Sequence, residues 1–144
     1  MNQSDNIIDI ENQICFSLYT ASNAVLRAYR PLLEELDLTY LQYMTMIVLW
    51  KNSPLNVKEI GQKMHLDSGT LTPLLKRLEQ KGLISRNRSR HDERIMEISL
   101  TQQGTALQHK ASLVPEKIAC KVSLPKQDIL ELKRITDALV KKLC

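Results

Sequence analysis

The chain is poor in the residues that build metal centres, phosphate cradles and export scaffolds. Among 144 residues there are four glycines, isolated at 61, 69, 82 and 104, so no glycine-rich loop can wrap a phosphate. Three cysteines, at 15, 120 and 144, lie too far apart for a metal-ligand motif or a dense disulfide framework. His65, His91 and His109 have neither mutual spacing nor acidic partners that imply a metal, and no cofactor is expected. Glu34 and Glu35 are adjacent on a presumed helix and point apart, which excludes an acid–base pair there. No apolar run approaches the roughly 18 residues of a membrane span. The polar, acidic start MNQSDNIIDIENQ is unlike a signal peptide, so a cytoplasmic chain without membrane partners is expected. Aromatics are also scarce: Phe16, Tyr19, Tyr29, Tyr40, Tyr43 and Trp50 all fall between residues 16 and 50, and none accompanies the basic residues further on. Single-stranded nucleic acid needs stacking platforms amid the charge, so that partner class is excluded.

What the chain does have is a charged module between Leu66 and Leu100. Asp67 or Ser68 can cap a helix; Gly69, Thr70 and Thr72 put small polar groups on its first turns, while Leu71, Leu74, Leu75 and Leu78 form a buried stripe. Lys76 and Arg77 fall on the wet side. Gly82 is placed to end the helix with positive φ, and Leu83, Ile84, Ile95, Ile98 and Leu100 mark two short strands around a charged tip. Between Lys76 and Arg94 seven basic residues (76, 77, 81, 86, 88, 90 and 94) face three acids (79, 92 and 93), a surplus equal to the net charge of +4 of the whole chain. The excess positive charge is therefore local, which is the footprint of a polyanion partner.

The remainder is mostly helical. Ile7, Ile10, Ile14, Leu18, Ala21, Val25 and Ala28 recur at helical spacing, predicting one amphipathic helix over residues 6–30 that stops near Pro31. At ~1.5 Å per residue it is too long for one small core to cover, so part of its apolar stripe should meet another chain. Thr39 with Gln42 and Asn56 with Glu59 are capping boxes for helices ending near Trp50 and Met64, and His65-Leu66-Asp67 is a tight turn that completes a helix-turn-helix. Thr101 caps a helix expected to run to Pro115, and Ile129, Leu132, Ile135, Leu139 and Leu143 mark a last helix opening near Pro125. The expected fold is mainly α (α+β): a single 1–144 protomer with a winged helix-turn-helix lobe over 39–100. Helices within 1–38 and 101–144 would form an intertwined homodimer layer that offers two recognition helices to half-sites ~34–36 Å apart.

The stretch LDSGTLTPLLKRLEQKGLISRNRSRHDERIMEISLT, with its D-x-R wing motif Asp92-Glu93-Arg94, resembles the winged helix-turn-helix of the MarR family. With ENQICFSLYTASNAV, YRPLLEELDLTYLQYMTMIVLW and VKEIG, the likeness extends over nearly the whole chain to the organic-hydroperoxide-responsive repressors of that family. The resemblance implies that Ser68, Gly69, Thr70, Thr72, Lys76 and Arg77 meet the major groove and phosphates of a double-stranded DNA operator. It implies that Arg94, oriented by Asp92, enters the minor groove; Arg86, Arg88 and Arg90 are expected at phosphates. Small hydroxyls and helix N-terminal amides suit phosphates and base edges, and a wing arginine suits a narrow minor groove.

Cys15 carries the sensing question. On residues alone it is either a small hydrophobe or a reactive thiol, set among Phe16 and Tyr19 in the aromatic stretch of the chain. The resemblance implies the latter, with Tyr29 and Tyr40 reaching across the dimer to the sulfur and an organic hydroperoxide oxidising it to a sulfenic acid. Cys15 is expected too far inside the first helix to gain much from its dipole. Cys120 lies where the two-cysteine branch keeps its resolving residue, so the resemblance implies an intersubunit Cys15–Cys120 disulfide; PEKIACKVSLP is itself no motif, and Cys120 is equally readable as a buried apolar residue. Cys144 is a terminal competitor or incidental. Two other readings stand beside this one: a repressor of the same fold released by a non-covalent phenolic ligand, and a thiol peroxidase, which would leave the basic module unused. An enzyme is not expected.

Overall fold

The computed structural model describes residues 8–144, and the periodicity at Ile7 lies outside them. After a 3-10 turn over Ile10–Asn12 come α1 (Ile14–Glu34), α2 (Tyr40–Lys51), β1 (Leu55–Asn56), α3 (Val57–Met64), α4 (Ser68–Gln80), β2 (Ile84–Arg88), β3 (Met96–Leu100), α5 (Gln102–Ala111), α6 (Val114–Val122) and α7 (Lys126–Leu143). The chain divides into two compact units after Val114. Among the described residues no helix is long and apolar enough to cross a membrane.

The first helix departs from its expected bounds at both ends. Asp9 accepts from the Glu11 N–H and holds the short 3-10 turn, while Gln13 is extended, so a local side-chain bond wins over helix and α1 begins only at Ile14. At the other end Pro31 lies inside α1. A proline within a helix costs about 3 kcal/mol, but the turn it sits in carries Leu32 and Leu33, and Leu36 follows; all three are buried. At about 1.5–3 kcal/mol each, that burial outweighs the lost hydrogen bond.

Within the first unit the core is formed by Met46 and Leu49 of α2, Ile60 of α3, Leu71, Leu75 and Leu78 of α4, Ile84 of β2 and Ile98 of β3. Both capping boxes form: Thr39 with Gln42 opens α2, and Asn56 with Glu59 opens α3. Three antiparallel strands run in the order β1-β3-β2, with Leu55 opposite Ile98 and Ile84 opposite Leu100. Strand β1 has two residues, too few for an alternating pattern to be read. Gly82 ends the α4 segment at φ 75°, where it costs no strain. Gly104 admits the Leu83 carbonyl so closely that a Cβ would stand 2.0 Å from that oxygen.

Helix α5 is capped by Thr101, whose Oγ1 accepts from the Gly104 N–H at 3.0 Å, but it ends at Ala111 and not at Pro115. Ser112 closes it, donating its hydroxyl to the His109 carbonyl at 2.7 Å. Pro115 instead sits in the first turn of α6, where a proline has no intrahelical donor to lose. In the second unit, α6 is followed by α7, which carries the ion pairs Arg134–Glu131 and Lys133–Asp137 on its surface. Leu130, Leu132, Ile135, Leu139 and Val140 are all exposed along α7.

Candidate nucleic-acid interface and cysteine site

The turn between α3 and α4 is built by His65, whose left-handed backbone (φ 53°) closes α3, and by Asp67, which caps α4. Of the two expected caps it is Asp67 that acts, accepting from the Thr70 N–H at 2.7 Å. That bond, with a second from the Thr70 side chain and a weaker one from the Gly69 N–H, holds the Asp67 carboxyl below the usual carboxylate range. It leaves Ser68, Gly69, Thr70 and Thr72 exposed on the first turns of α4, with Lys76 and Arg77 exposed further along, while Leu71, Leu74, Leu75 and Leu78 face the core. The helix thus presents one polar edge of small side chains, followed on its exposed face by two cations.

The wing holds its arginines in three different ways. Arg94 donates from Nε and Nη2 to the two Asp92 oxygens at 3.1 and 3.3 Å, and its own N–H donates to Asp92 Oδ1 at 3.0 Å. Its side chain is nevertheless 91% exposed. Exposed ion pairs add little stability, so the contribution of Asp92 is to orient a charge that remains available; in return Arg94 holds the Asp92 carboxyl below its ordinary range. Arg88 donates to the Glu93 carbonyl at 2.6 Å across the wing loop, and Arg90 is exposed at its tip. Arg86, expected among the phosphate contacts, has its guanidinium on Glu79 of α4 at 3.2 Å while its N–H donates to the same carboxylate at 3.1 Å; only 21% of the side chain is exposed. Arg86 therefore braces α4 against β2. Lys81, counted in the basic surplus, is likewise engaged inside the lobe, with Asp37 and Gln42. Neither Glu79 nor Lys81 was singled out by sequence reasoning, and no local spacing marks them, because their partners come from packing.

Between α3, the turn and the wing lies a groove of about 800 Å³, lined by Lys58, Gln62, His65, Ser68, Arg94 and Met96 among others. Its cations and hydroxyl come from both the helix-turn-helix and the wing, so an anionic strand in the groove would touch both.

Cys15 is the second residue of α1 and is exposed. It therefore sits in the first turn, beside the partial positive charge of the helix end, and not deep in the helix as expected. Tyr19 lies one turn further on the same face, with its ring 6.4 Å from that of Phe16; both aromatics are exposed. Tyr29 is ~21 Å away along the unbroken helix axis, packed edge-on against Tyr40 at 5.1 Å and near Tyr43 at 6.2 Å. Burial, with Tyr40 second, raises the Tyr29 phenol above its usual value; burial does the same for Tyr43, so both stay neutral hydrogen-bond donors. Cys120 on α6 and Cys144 at the end of α7 are both exposed in the single chain.

Residues 27–111 match the family described as transcriptional regulator SarA/Rot. The organic hydroperoxide resistance transcriptional regulator of Bacillus subtilis is 48% identical over 130 residues, covering 90% of this chain and 86% of that protein. Among solved structures, AbfR of Staphylococcus epidermidis is similar in two states. Reduced and bound to DNA it is 33% identical with a TM-score of 0.80, covering 98% of this chain and 99% of that one. In its disulfide form it is 36% identical with a TM-score of 0.66, covering 96% and 98%. The chain belongs to the MarR-type family of winged helix-turn-helix transcriptional regulators, in the branch of the organic hydroperoxide resistance regulators. These relatives are regulators and not enzymes.

Proposed function

We propose that the chain is one half of a homodimeric repressor that grips a pseudo-palindromic operator when reduced and lets go when an organic hydroperoxide oxidises Cys15. The observation that carries this reading is the exposed first-turn Cys15, set among the solvent-facing Ile14, Phe16 and Tyr19. Apolar groups around a thiol favour an alkyl or lipid peroxide over hydrogen peroxide, and a partner helix laid against them would bury that surface. The thiolate attacks the terminal peroxide oxygen, the O–O bond breaks, and the products are a sulfenic acid on Cys15 and an alcohol. The thiolate of Cys120 of the partner subunit then attacks the sulfenic sulfur and expels water, leaving an intersubunit disulfide. Exposure of Cys120 and the disulfide form of the related AbfR support that route.

The helices within 8–38 and 101–144 form the dimer layer, and 39–100 the reading lobe. Ser68, Gly69, Thr70, Thr72, Lys76 and Arg77 contact the major groove; Arg94, held by Asp92, enters the minor groove; Arg88 and Arg90 contact phosphates, and the backbone between the two grooves crosses the α3–wing groove. The phenols of Tyr29 and Tyr40 donate hydrogen bonds to the sulfur of the other protomer. Forming the disulfide moves the helices that carry the lobes, and the paired half-sites no longer fit. A Cys15→Ser protein tests this: it should bind an operator-bearing duplex as the wild type does and keep it in cumene hydroperoxide. Release of DNA by that variant under peroxide overturns the sensor assignment, and steady turnover of peroxide with a reductant would make the protein a peroxidase.

A further inference from the structure

We infer that Lys81 is a positioning residue that ties the corner between α1 and α2 to the end of the recognition helix, so that a displacement of α1 is delivered to α4 through one ammonium group. The inference rests on the reading that α1 carries the sensor. Lys81 is the C-terminal cap of α4, and its N–H donates to the Arg77 and Glu79 carbonyls. An ammonium has three N–H donors, and here its acceptors all lie in the corner. Nζ donates to the Asp37 carbonyl and to Gln42 Oε1, the latter at 3.3 Å, and stands 3.4 Å from Asp37 Oδ1.

Both acceptor residues are fixed in ways that make the tie sensitive to the corner's shape. Asp37 is a non-glycine residue at φ 53°, so the carbonyl it offers depends on an uncommon backbone conformation. Gln42 is buried, and the same Oε1 also accepts from the Thr39 N–H at 3.0 Å in the capping box that opens α2. One oxygen thus joins the start of α2 to the end of α4. The tie continues past Lys81: the Gly82 carbonyl accepts from Thr101 Oγ1 at 2.6 Å, and the Leu83 carbonyl accepts from the Thr101 N–H at 3.1 Å, where β3 hands over to α5. Lys81 lies off the exposed edge of α4 that carries Lys76 and Arg77, and its partner Asp37 is 89% exposed. A pair that open contributes little to stability, so its geometry matters more than its strength.

Coupling between sites is reciprocal: if α1 moves α4 through Lys81, then DNA that holds α4 must stiffen the corner through the same group. Amide hydrogen exchange at Leu36, Asp37 and Leu38 reads this directly, since each N–H is bonded within the corner. The probe is a duplex selected by the reduced protein from a random pool. In the wild type the duplex should slow exchange at these amides by about fivefold or more. Lys81→Met, which keeps the apolar stem, should lose most of that protection while reduced affinity stays within about threefold. Asp37→Gly, which suits the backbone and removes only the carboxylate, should lose less, and carries the test if Lys81→Met does not fold.

Equal protection in wild type and variants overturns the inference; so does a Lys81→Met protein whose reduced affinity falls more than about tenfold, because Lys81 would then be a DNA contact or a structural support. Under cumene hydroperoxide, Lys81→Met should reach the same Cys15 oxidation by mass as the wild type yet keep the duplex. A wild type that is oxidised but never releases DNA sinks the sensor reading, while the exchange comparison still decides the tie.

Discussion

In the lobe built from α2 to α5, Met46, Leu49, Ile60, Leu71, Leu78 and Ile98 are wholly sealed from solvent, whereas Ile14, Phe16 and Tyr19 at the start of α1 and Leu132, Ile135 and Leu143 on α7 are 42–76% exposed. The polar groups divide in the same way. In the lobe they are bound across elements: Trp50 Nε1 donates to the Gly104 carbonyl at 2.8 Å, Arg86 is braced by Glu79, and Lys81 by the α1–α2 corner. On α7 the described ion pairs join residues three or four apart on one helix and hold nothing else in place. The lobe therefore finishes its own core within one chain. The terminal helices are helical by local bonds, and their apolar faces are large enough to call for another surface.

The strongest way to break that contrast is to charge the open face of α7. Leu132→Lys combined with Ile135→Lys should turn a dimer into a monomer in sedimentation velocity, because two ammonium groups cannot be buried without partners. Fluorescence of Trp50, the single tryptophan, should still report a folded lobe. An unchanged mass would mean that α7 does not form the dimer layer. Smaller in size, and confined to the lobe, is the loss expected from Arg94→Ala. Removing one oriented minor-groove arginine per protomer should weaken operator binding by about 10- to 100-fold without altering mass or melting temperature, as read by fluorescence anisotropy. Undiminished affinity would take the wing out of the interface and leave Asp92 orienting a charge for no partner.

The same division decided what could be read from residues alone. Capping boxes at Thr39 and Asn56, the positive φ of Gly82 and the leucine stripe of α4 are local, and the lobe they specify was legible to within a residue or two. The polar edge of α4 was legible for the same reason, being set by helix periodicity, whereas the Asp92–Arg94 pair was legible through the resemblance of its D-x-R motif to the family's wing. Two prolines mislead as helix stops: Pro31 is carried by the burial of Leu32, Leu33 and Leu36, and Pro115 opens α6. Stripe periodicity overran the start of α1, where the Asp9 cap prevails. Arg86 and Lys81 looked like free charges in a basic run, since Glu79, Asp37 and Gln42 reach them only after packing. The place of Cys15 in its helix followed from the same overrun, and moving the helix start by eight residues brought the sulfur from mid-helix to the first turn.

The mildest expected effect concerns the cap that aims the recognition helix, and it separates charge from hydrogen bonding. Asn caps a helix about as well as Asp, so Asp67→Asn should keep the Thr70 bond and remove only the negative charge beside the helix end. Since the Thr70 N–H lowers the Asp67 carboxyl below its unfolded value, the carboxylate stabilises the folded lobe at all pH above the ordinary carboxylate range. That contribution is lost as pH falls through the folded value, which lies below that of an ordinary aspartate. Wild type should accordingly melt a degree or two above Asp67→Asn near neutrality, followed at Trp50, and the gap should close only once the medium is more acidic than an ordinary aspartate. A gap that stays constant into strong acid would assign the cap's value to the bond alone. Because the α7 face is apolar, that carboxyl should leave dimer association unmoved: if Asp67→Asn shifts the sedimentation profile near neutral pH, then the lobe and the terminal helices are not energetically separate.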